Sequence, residues 1–241
     1  MSLSGKHVLI TGGARRIGKA LALGVAKAGA TVSIHHGHSR FEGEKILEEI
    51  RALGQEAHLI QADLNDMGQV AEIVPRVNEV GPLHALVNNA AIFEQLTWEN
   101  TDLESWQRHL DINLTAPFLL SQAFARQINP GETARIVNIL DWRALRPGAD
   151  HLPYTISKAG LTALTQSLAV SLAPHILVNA IALGAILPAS DGGDTAAAIR
   201  DVPAQRWATL DEVVELLLFL LDGPAYITGE IIHLDGGRHL V

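Results

Sequence analysis

The chain has no cysteine in 241 residues. Disulfides, zinc–thiolate centres and a cysteine nucleophile are excluded together, and a reducing compartment such as the cytoplasm is expected. It also lacks a basic excess: 18 Lys and Arg face 26 Asp and Glu, a formal charge of −8. A nucleic-acid partner would require a basic face, so none is expected. No secretory signal is expected either, because the chain passes almost directly into the strand-like Lys6-His7-Val8-Leu9-Ile10. An unbroken apolar run is missing as well. The most apolar stretch, Leu168 to Ala189, is interrupted by Pro174, His175 and Asn179. It reads as a helix end, a turn and a buried strand, and no membrane span is expected. The 11 histidines are scattered, with no His-x-x-x-His pair backed by carboxylates, so no metal site is expected.

What is present is a large apolar fraction. Hydrophobic residues make up 48% and charged residues 18%, enough for a sizeable core. Short apolar runs near 7–11, 31–36, 57–60, 84–88, 134–140, 176–181 and 230–233 predict strands. Longer periodic segments near 16–28, 42–53, 66–80, 102–129, 153–173 and 210–221 predict helices between them. Several strand candidates are continuous runs of Val, Ile and Leu, as expected where helices cover both faces of a sheet. The alternation predicts an α/β fold with a doubly wound, mostly parallel sheet of about seven strands. No linker, repeat or charge run divides it, so residues 1–241 are expected to form one domain. The long irregular stretch at 184–205, with Asp191-Gly192-Gly193-Asp194, is either a substrate loop or an ordinary surface excursion.

The first strand runs into Thr11-Gly12-Gly13-Ala14-Arg15-Arg16-Ile17-Gly18, and a helix follows. Glycines there allow a tight turn and close backbone approach to a pyrophosphate, and free N–H groups at the helix start attract the anion. This points to a Rossmann-type dinucleotide site built from Gly12, Arg15, Arg16, Ile17 and Gly18. The end of the second strand reads Ile34-His35-His36-Gly37-His38-Ser39-Arg40, with no acid until Glu42. A site selective for NADH places an Asp or Glu there. His36, His38, Ser39 and Arg40 instead suit a 2′-phosphate, so NADPH/NADP is the expected cofactor, unless the histidines are merely exposed loop residues.

Further matches arrive in a fixed order: Asp63-Leu64, Asn88-Asn89-Ala90, Asn113, Tyr154-x-x-x-Lys158, and Thr228-Gly229 to Asp235-Gly236-Gly237. With these the chain resembles the short-chain dehydrogenase/reductase family over nearly its full length. The resemblance implies that Asp63 and Leu64 sit beside the adenine, that Asn89 and Ala90 line the cofactor, and that Gly184 borders it after the sixth strand. Asp63 could otherwise be a helix N-cap, and Asn88 could only stitch strands together. Tyr154 and Lys158, spaced i, i+4, share a helix face. The resemblance makes Tyr154 the proton donor and gives Lys158 the nicotinamide ribose. The lysine charge, with that of the nicotinamide in the oxidised cofactor, is expected to lower the tyrosine pKa, and Asn113 to complete a water-linked proton route to the lysine. The resemblance also implies a homo-oligomer, with a tetramer favoured. Ile156, Leu161, Leu164, Leu168, Val170 and Leu172 cannot all face one sheet, in keeping with that.

Two departures narrow the reading. Counting 13 positions back from Tyr154, where the family carries a serine, gives Asp141, and Arg16 replaces the second glycine of the turn. Both resemble the pteridine reductase branch, as does Phe93, which matches the aromatic residue that branch stacks on a pterin. A pterin between Phe93 and the nicotinamide, with Arg16 at its edge and Asp141 beside Tyr154, is the expected arrangement. Asp141, Tyr154, Lys158 and Asn113 are the catalytic candidates, and Arg16, Phe93, Asp141 and Tyr154 the substrate contacts. Each has a plainer alternative: a strand-end carboxylate, a phosphate clamp, a core aromatic. The expected activity is NADPH-dependent reduction of a dihydropteridine C=N bond, of the dihydrobiopterin, dihydromonapterin or dihydrofolate type. Reduction of another carbonyl or imine, or a non-catalytic NADPH sensor, are the alternatives.

Overall fold

The computed structural model describes residues 2–129, 131–188 and 199–241. In chain order the elements are β1 (His7–Ile10), α1 (Arg16–Lys27), β2 (Thr31–His36), α2 (Arg40–Ala52), β3 (Ala57–Gln61), α3 (Met67–Asn78) and β4 (Ala85–Asn88). There follow α4 (Leu103–Leu110), α5 (Ala116–Gln127), β5 (Ala134–Asp141), α6 (Leu152–Leu172), β6 (Ile176–Leu183), α7 (Leu210–Asp222) and β7 (Ile231–Leu234). The seven strands form one sheet in the order β3-β2-β1-β4-β5-β6-β7. Every pairing is parallel, so the expected "mostly parallel" sheet is wholly so.

Strand alternation assigns side chains to the two faces. Val8 and Ile10 of β1 join Val32, Ile34, Val87 and Val137 under α1, α2 and α7. Leu9 points the other way, into a cluster with Leu86, Ile136, Val178 and Phe124 beneath α3, α5 and α6. A buried polar seam crosses the second face: Asn88 donates to Asn138 at 2.8 Å, and Asn138 to Thr165 at 2.8 Å. Asn88 therefore stitches β4 to β5 rather than facing the cleft.

The order reverses between β1 and β4: successive strands run outward to β3, then return past β1. That crevice at the carboxyl ends of the strands is where such sheets bind ligands. One helix expectation needs correction. The predicted helix over 102–129 is divided into α4 and α5 by a π turn at Asp111–Thr115. Pro117 contributes to the break, since it has no N–H for the carbonyl of Asn113 four residues earlier. No helix among the described residues is long and apolar enough to cross a membrane.

Candidate active site

A cleft of about 420 Å³ opens at the carboxyl ends of the strands, within the range of small-molecule sites. It brings together Gly12, Arg15, Arg16, Ile17, Gly18, Asn89, Ala90, Phe93, Asp141, Tyr154, Lys158 and Gly184, all named from the sequence.

The dinucleotide turn is fixed mainly through main-chain groups. Gly12 has φ +61, and a Cβ on Gly18 would stand 2.1 Å from the carbonyl oxygen of Gly12. Only a bare backbone fits that approach. Arg16 sits in the left-handed region at φ 51, a conformation costly for a side chain. Its guanidinium reaches the carbonyl of Pro188 at 2.7 Å, bridging the turn to the start of the loop at 184–205. Residues 189–198 of that loop, including Asp191-Gly192-Gly193-Asp194, lie outside the described residues. Asn89 donates through Nδ2 to Thr11 O at 2.8 Å, and Thr11 Oγ1 accepts from the N–H groups of Asn89 and Ala90. These bonds lock the end of β4 onto the turn.

His35 provides the support below. Its Nδ1 accepts from the Gly12 N–H at 3.2 Å while Nε2 lies 3.0 Å from Ala62 O. One nitrogen must accept and the other donate, so the ring is neutral. Burial in turn lowers its pKa to about 4. His36 is also buried, with Nδ1 unpartnered, whereas His38 and Arg40 are exposed and Ser39 half-exposed. Arg40 pairs with Glu44 at 2.8 Å, and Arg15 with Glu42 at 3.7 Å. Asp63, two residues past β3, accepts from Asn65 N at 2.9 Å; the helix N-cap there is Asp66, not Asp63. Leu64 is buried in the core beside Ile60 and Val70.

The other half of the cleft carries the titratable groups. Asp141 ends β5, and its Oδ1 accepts from the Arg143 N–H at 2.9 Å. Tyr154, in the first turn of α6, donates its hydroxyl to Asp141 Oδ2 at 3.2 Å. One turn later Lys158, almost wholly buried, donates to the carbonyl of Ile139 at 2.7 Å. The chain's own groups do not lower the tyrosine pKa. Burial first, and then the neighbouring Asp141 charge, hold the phenol well above its ordinary value. Asp141 is itself raised by burial, against the pull of the Arg143 N–H and charge. Lys158 is lowered by burial to about 8. At neutral pH the pair is thus a protonated phenol next to a carboxyl group.

Asn113 lies in the π turn and is fully buried. Its Oδ1 accepts from Ile92 N at 2.9 Å, and Nδ2 donates to Ile92 O and to Ser157 Oγ. The side chain is spent on positioning the segment after β4 and α6.

Three residues of this half were not singled out from sequence. His151 stacks on Phe93 with ring centroids 3.9 Å apart and planes 9° apart, and Phe93 meets Tyr154 edge-on at 4.7 Å. Asp150 links Arg143 at 2.6 Å to His151 at 3.0 Å. Ser157 anchors Asn113. The available signal was spacing: His151 lies three residues before Tyr154, at the N-cap of the same helix. Among the described residues no group of three or more His, Asp or Glu is placed to hold a metal ion.

Comparison with known proteins agrees with this geometry. A 3-oxoacyl-[acyl-carrier-protein] reductase of Aquifex aeolicus is 35% identical, over 98% of both chains. The crystal structure of FolM Alternative dihydrofolate reductase 1 from Brucella canis, complexed with NADP, superposes with a TM-score of 0.92 at 36% identity, over 100% of this chain and 97% of that one. A short chain dehydrogenase from Burkholderia cenocepacia in complex with NADP gives 0.93 at 36% identity, over 99% of each. The model of the short chain dehydrogenase family matches residues 6–196, and the chain belongs to that family.

Proposed function

We propose that the protein is an NADPH-dependent reductase of a dihydropteridine C=N bond. The observation that carries this reading is the Tyr154 hydroxyl donating to the Asp141 carboxylate, with Phe93 edge-on to the same phenol. The Gly12–Gly18 cradle, closed to any Cβ at Gly18, fits a pyrophosphate. The absence of a carboxylate at the end of β2 fits a 2′-phosphate held by Arg15, His38, Ser39 and Arg40 beside His36, with the adenine near Asp63 and Leu64. When bound, NADPH supplies the hydride.

The remaining chemistry belongs to the chain. Hydride arrives at carbon, and Tyr154 gives its proton to the ring nitrogen. Asp141, raised by burial, helps return a proton to the phenolate. Lys158 holds the cofactor ribose and its charge steadies the transient phenolate. Phe93 offers a flat wall for a conjugated ring.

The resemblance to 3-oxoacyl-[acyl-carrier-protein] reductases supports a second reading, reduction of a 3-oxoacyl thioester. The test is NADPH consumption with dihydrobiopterin, dihydrofolate, a 3-oxoacyl thioester and simple ketones, in wild type and Asp141→Ala. Dihydropteridine turnover that falls at least about a hundredfold in Asp141→Ala supports the first reading. Turnover of the thioester alone sinks it in favour of the second, and NADPH binding without any turnover favours a sensor. A cytoplasmic homo-oligomer, with a tetramer favoured, completes the proposal. Ile156 and Val170 on α6 are exposed apolar residues suited to burial against a second copy, and light scattering measures the mass.

A further inference from the structure

The stacked pair of Phe93 and His151 has a support that the proton chemistry does not use. Arg143 and Asp150 lie in the connection between β5 and α6, and His151 caps α6. Arg143 donates through Nη1 to Asp150 at 2.6 Å, and Asp150 Oδ2 lies 3.0 Å from His151 Nδ1. The Arg143 guanidinium holds the Asp150 carboxyl below its ordinary range, against a burial that would raise it. His151 then lies flat on Phe93 and is itself left-handed, at φ 53. Strain of that kind persists only where the surroundings impose it. Here they consist of the carboxylate on one side, the Phe93 ring on the other, and the Leu152 N–H bonded to Leu96 O at 2.7 Å just beyond.

Phe93 lines the cleft, and the His151 imidazole backs one face of its ring. Phe93 is nonetheless 47% exposed and follows a segment without regular secondary structure. An aromatic side chain on such a segment has no sheet or helix to fix its plane. The backing ring fixes it, and the edge-on contact with Tyr154 registers that plane against the proton donor. Arg143 reaches both ends of this arrangement: its N–H holds Asp141 and its side chain holds Asp150.

We propose that Arg143, Asp150 and His151 form a positioning relay that sets the plane of Phe93 and so makes the cleft selective for a flat, conjugated ring over an open-chain carbonyl. The inference rests on the planar-substrate reading above. None of the three touches the substrate in this scheme: Asp150 and His151 act through Phe93, and Arg143 acts through Phe93 and also on Asp141.

The test pairs steady-state kinetics with a spectroscopic readout of the stack. In His151→Ala, KM for the dihydropteridine rises about three- to tenfold, as expected from losing one aromatic contact, while kcat and NADPH affinity stay within about twofold. His151→Phe, which keeps a flat backing ring but not the contact with Asp150, reverses only part of that rise. Arg143→Met reproduces the rise, and Arg143→Lys recovers part of it. Loss of kcat with KM unchanged, or weakened NADPH binding, overturns the relay. The second readout is the His151 ring-proton resonance in protein carrying labelled histidine. Phe93 shifts it upfield, and Phe93→Leu and Arg143→Met return it toward the position of an unstacked imidazole. If wild type reduces no dihydropteridine, the substrate reading fails, and the selectivity claim fails with it. The resonance then judges the relay alone: a shift abolished by Arg143→Met upholds it, and one unaffected overturns it.

Discussion

The two halves of the cleft are built from different material. The half under α1 and α2 is made mainly of backbone: Gly12, Gly18 and the N–H groups around them, locked by Thr11, Asn89 and His35. The half between β5 and α6 is made of side chains: Asp141, Tyr154, Lys158, and the chain of contacts from Arg143 to Phe93. A backbone cradle recognises a group common to many substrates of a family and tolerates little change. A side-chain wall can be exchanged one residue at a time, so substrate choice is encoded there. If this division is right, substitutions in one half should alter cofactor binding or fold stability and leave the other half's chemistry intact.

The largest effect is expected at the proton donor. Tyr154→Phe keeps the ring contact with Phe93 but removes the hydroxyl that meets Asp141 at 3.2 Å. Turnover should fall by about 10²- to 10⁴-fold with NADPH affinity unchanged, as measured by single-turnover kinetics and cofactor fluorescence. A parallel loss of NADPH affinity would show that the two halves are not separable.

The next effect belongs to the cofactor half and is read as stability against pH. His35 is neutral when folded, with a pKa of about 4, and returns to about 6.5 when unfolded. Between those values the unfolded chain binds a proton that the folded chain refuses, so stability is full above about pH 6.5 and declines as pH falls toward 4. The loss reaches up to about 3 kcal/mol. Urea unfolding of wild type and His35→Gln across that range isolates it: the difference between the two should shrink as pH falls. A constant difference would mean that His35 does not carry the proton linkage.

The same contrast decides how much was legible beforehand. The glycine turn, the seven strands and the missing carboxylate after His36 could be read because each is local: its meaning lies within a few residues of sequence. Tyr154, Lys158 and Asp141 were legible through fixed spacing along one helix and one strand end. The Phe93–His151 stack was not, since 58 positions separate the two rings and neither has a periodicity that announces the other. The π turn at Asp111–Thr115 was missed although Pro117 stood within the predicted helix, because a proline there marks a break or kink without showing that the turn before it widens. The rise of the tyrosine pKa under the chain's own groups was hidden for a related reason. Sequence supplies the lysine's spacing but not the burial, and burial is the larger influence on the phenol.

A smaller effect should follow at the cradle itself. In Gly18→Ala the new methyl group meets Gly12 O and Asn89 Nδ2, so the turn must open. Overpacking of that kind costs about 1–3 kcal/mol. NADPH affinity should weaken by at least about tenfold in calorimetric titration, while the Tyr154–Asp141 geometry is retained. Binding as tight as wild type would show that the turn adapts, and that the cradle is less backbone-determined than its contacts indicate.

The smallest effect separates the cradle from its periphery. Arg40 and Arg15 are exposed, and each is engaged by one glutamate, Glu44 and Glu42. Exposed pairs of this kind contribute little, so either arginine can be turned toward a 2′-phosphate at small cost. A phosphate also offers a fork-shaped guanidinium a better match than a single carboxylate oxygen. Arg40→Ala should therefore weaken NADPH binding about three- to tenfold and leave NADH binding unchanged, and Glu44→Gln should shift the NADPH/NADH ratio the other way. Equal losses for both dinucleotides would move the role of Arg40 from the 2′-phosphate to the fold of α2. A ratio unmoved in Arg40→Ala, Arg15→Ala and the double variant would place phosphate selection on the histidine and serine side chains between β2 and α2, where His38 and Ser39 remain to be substituted in turn.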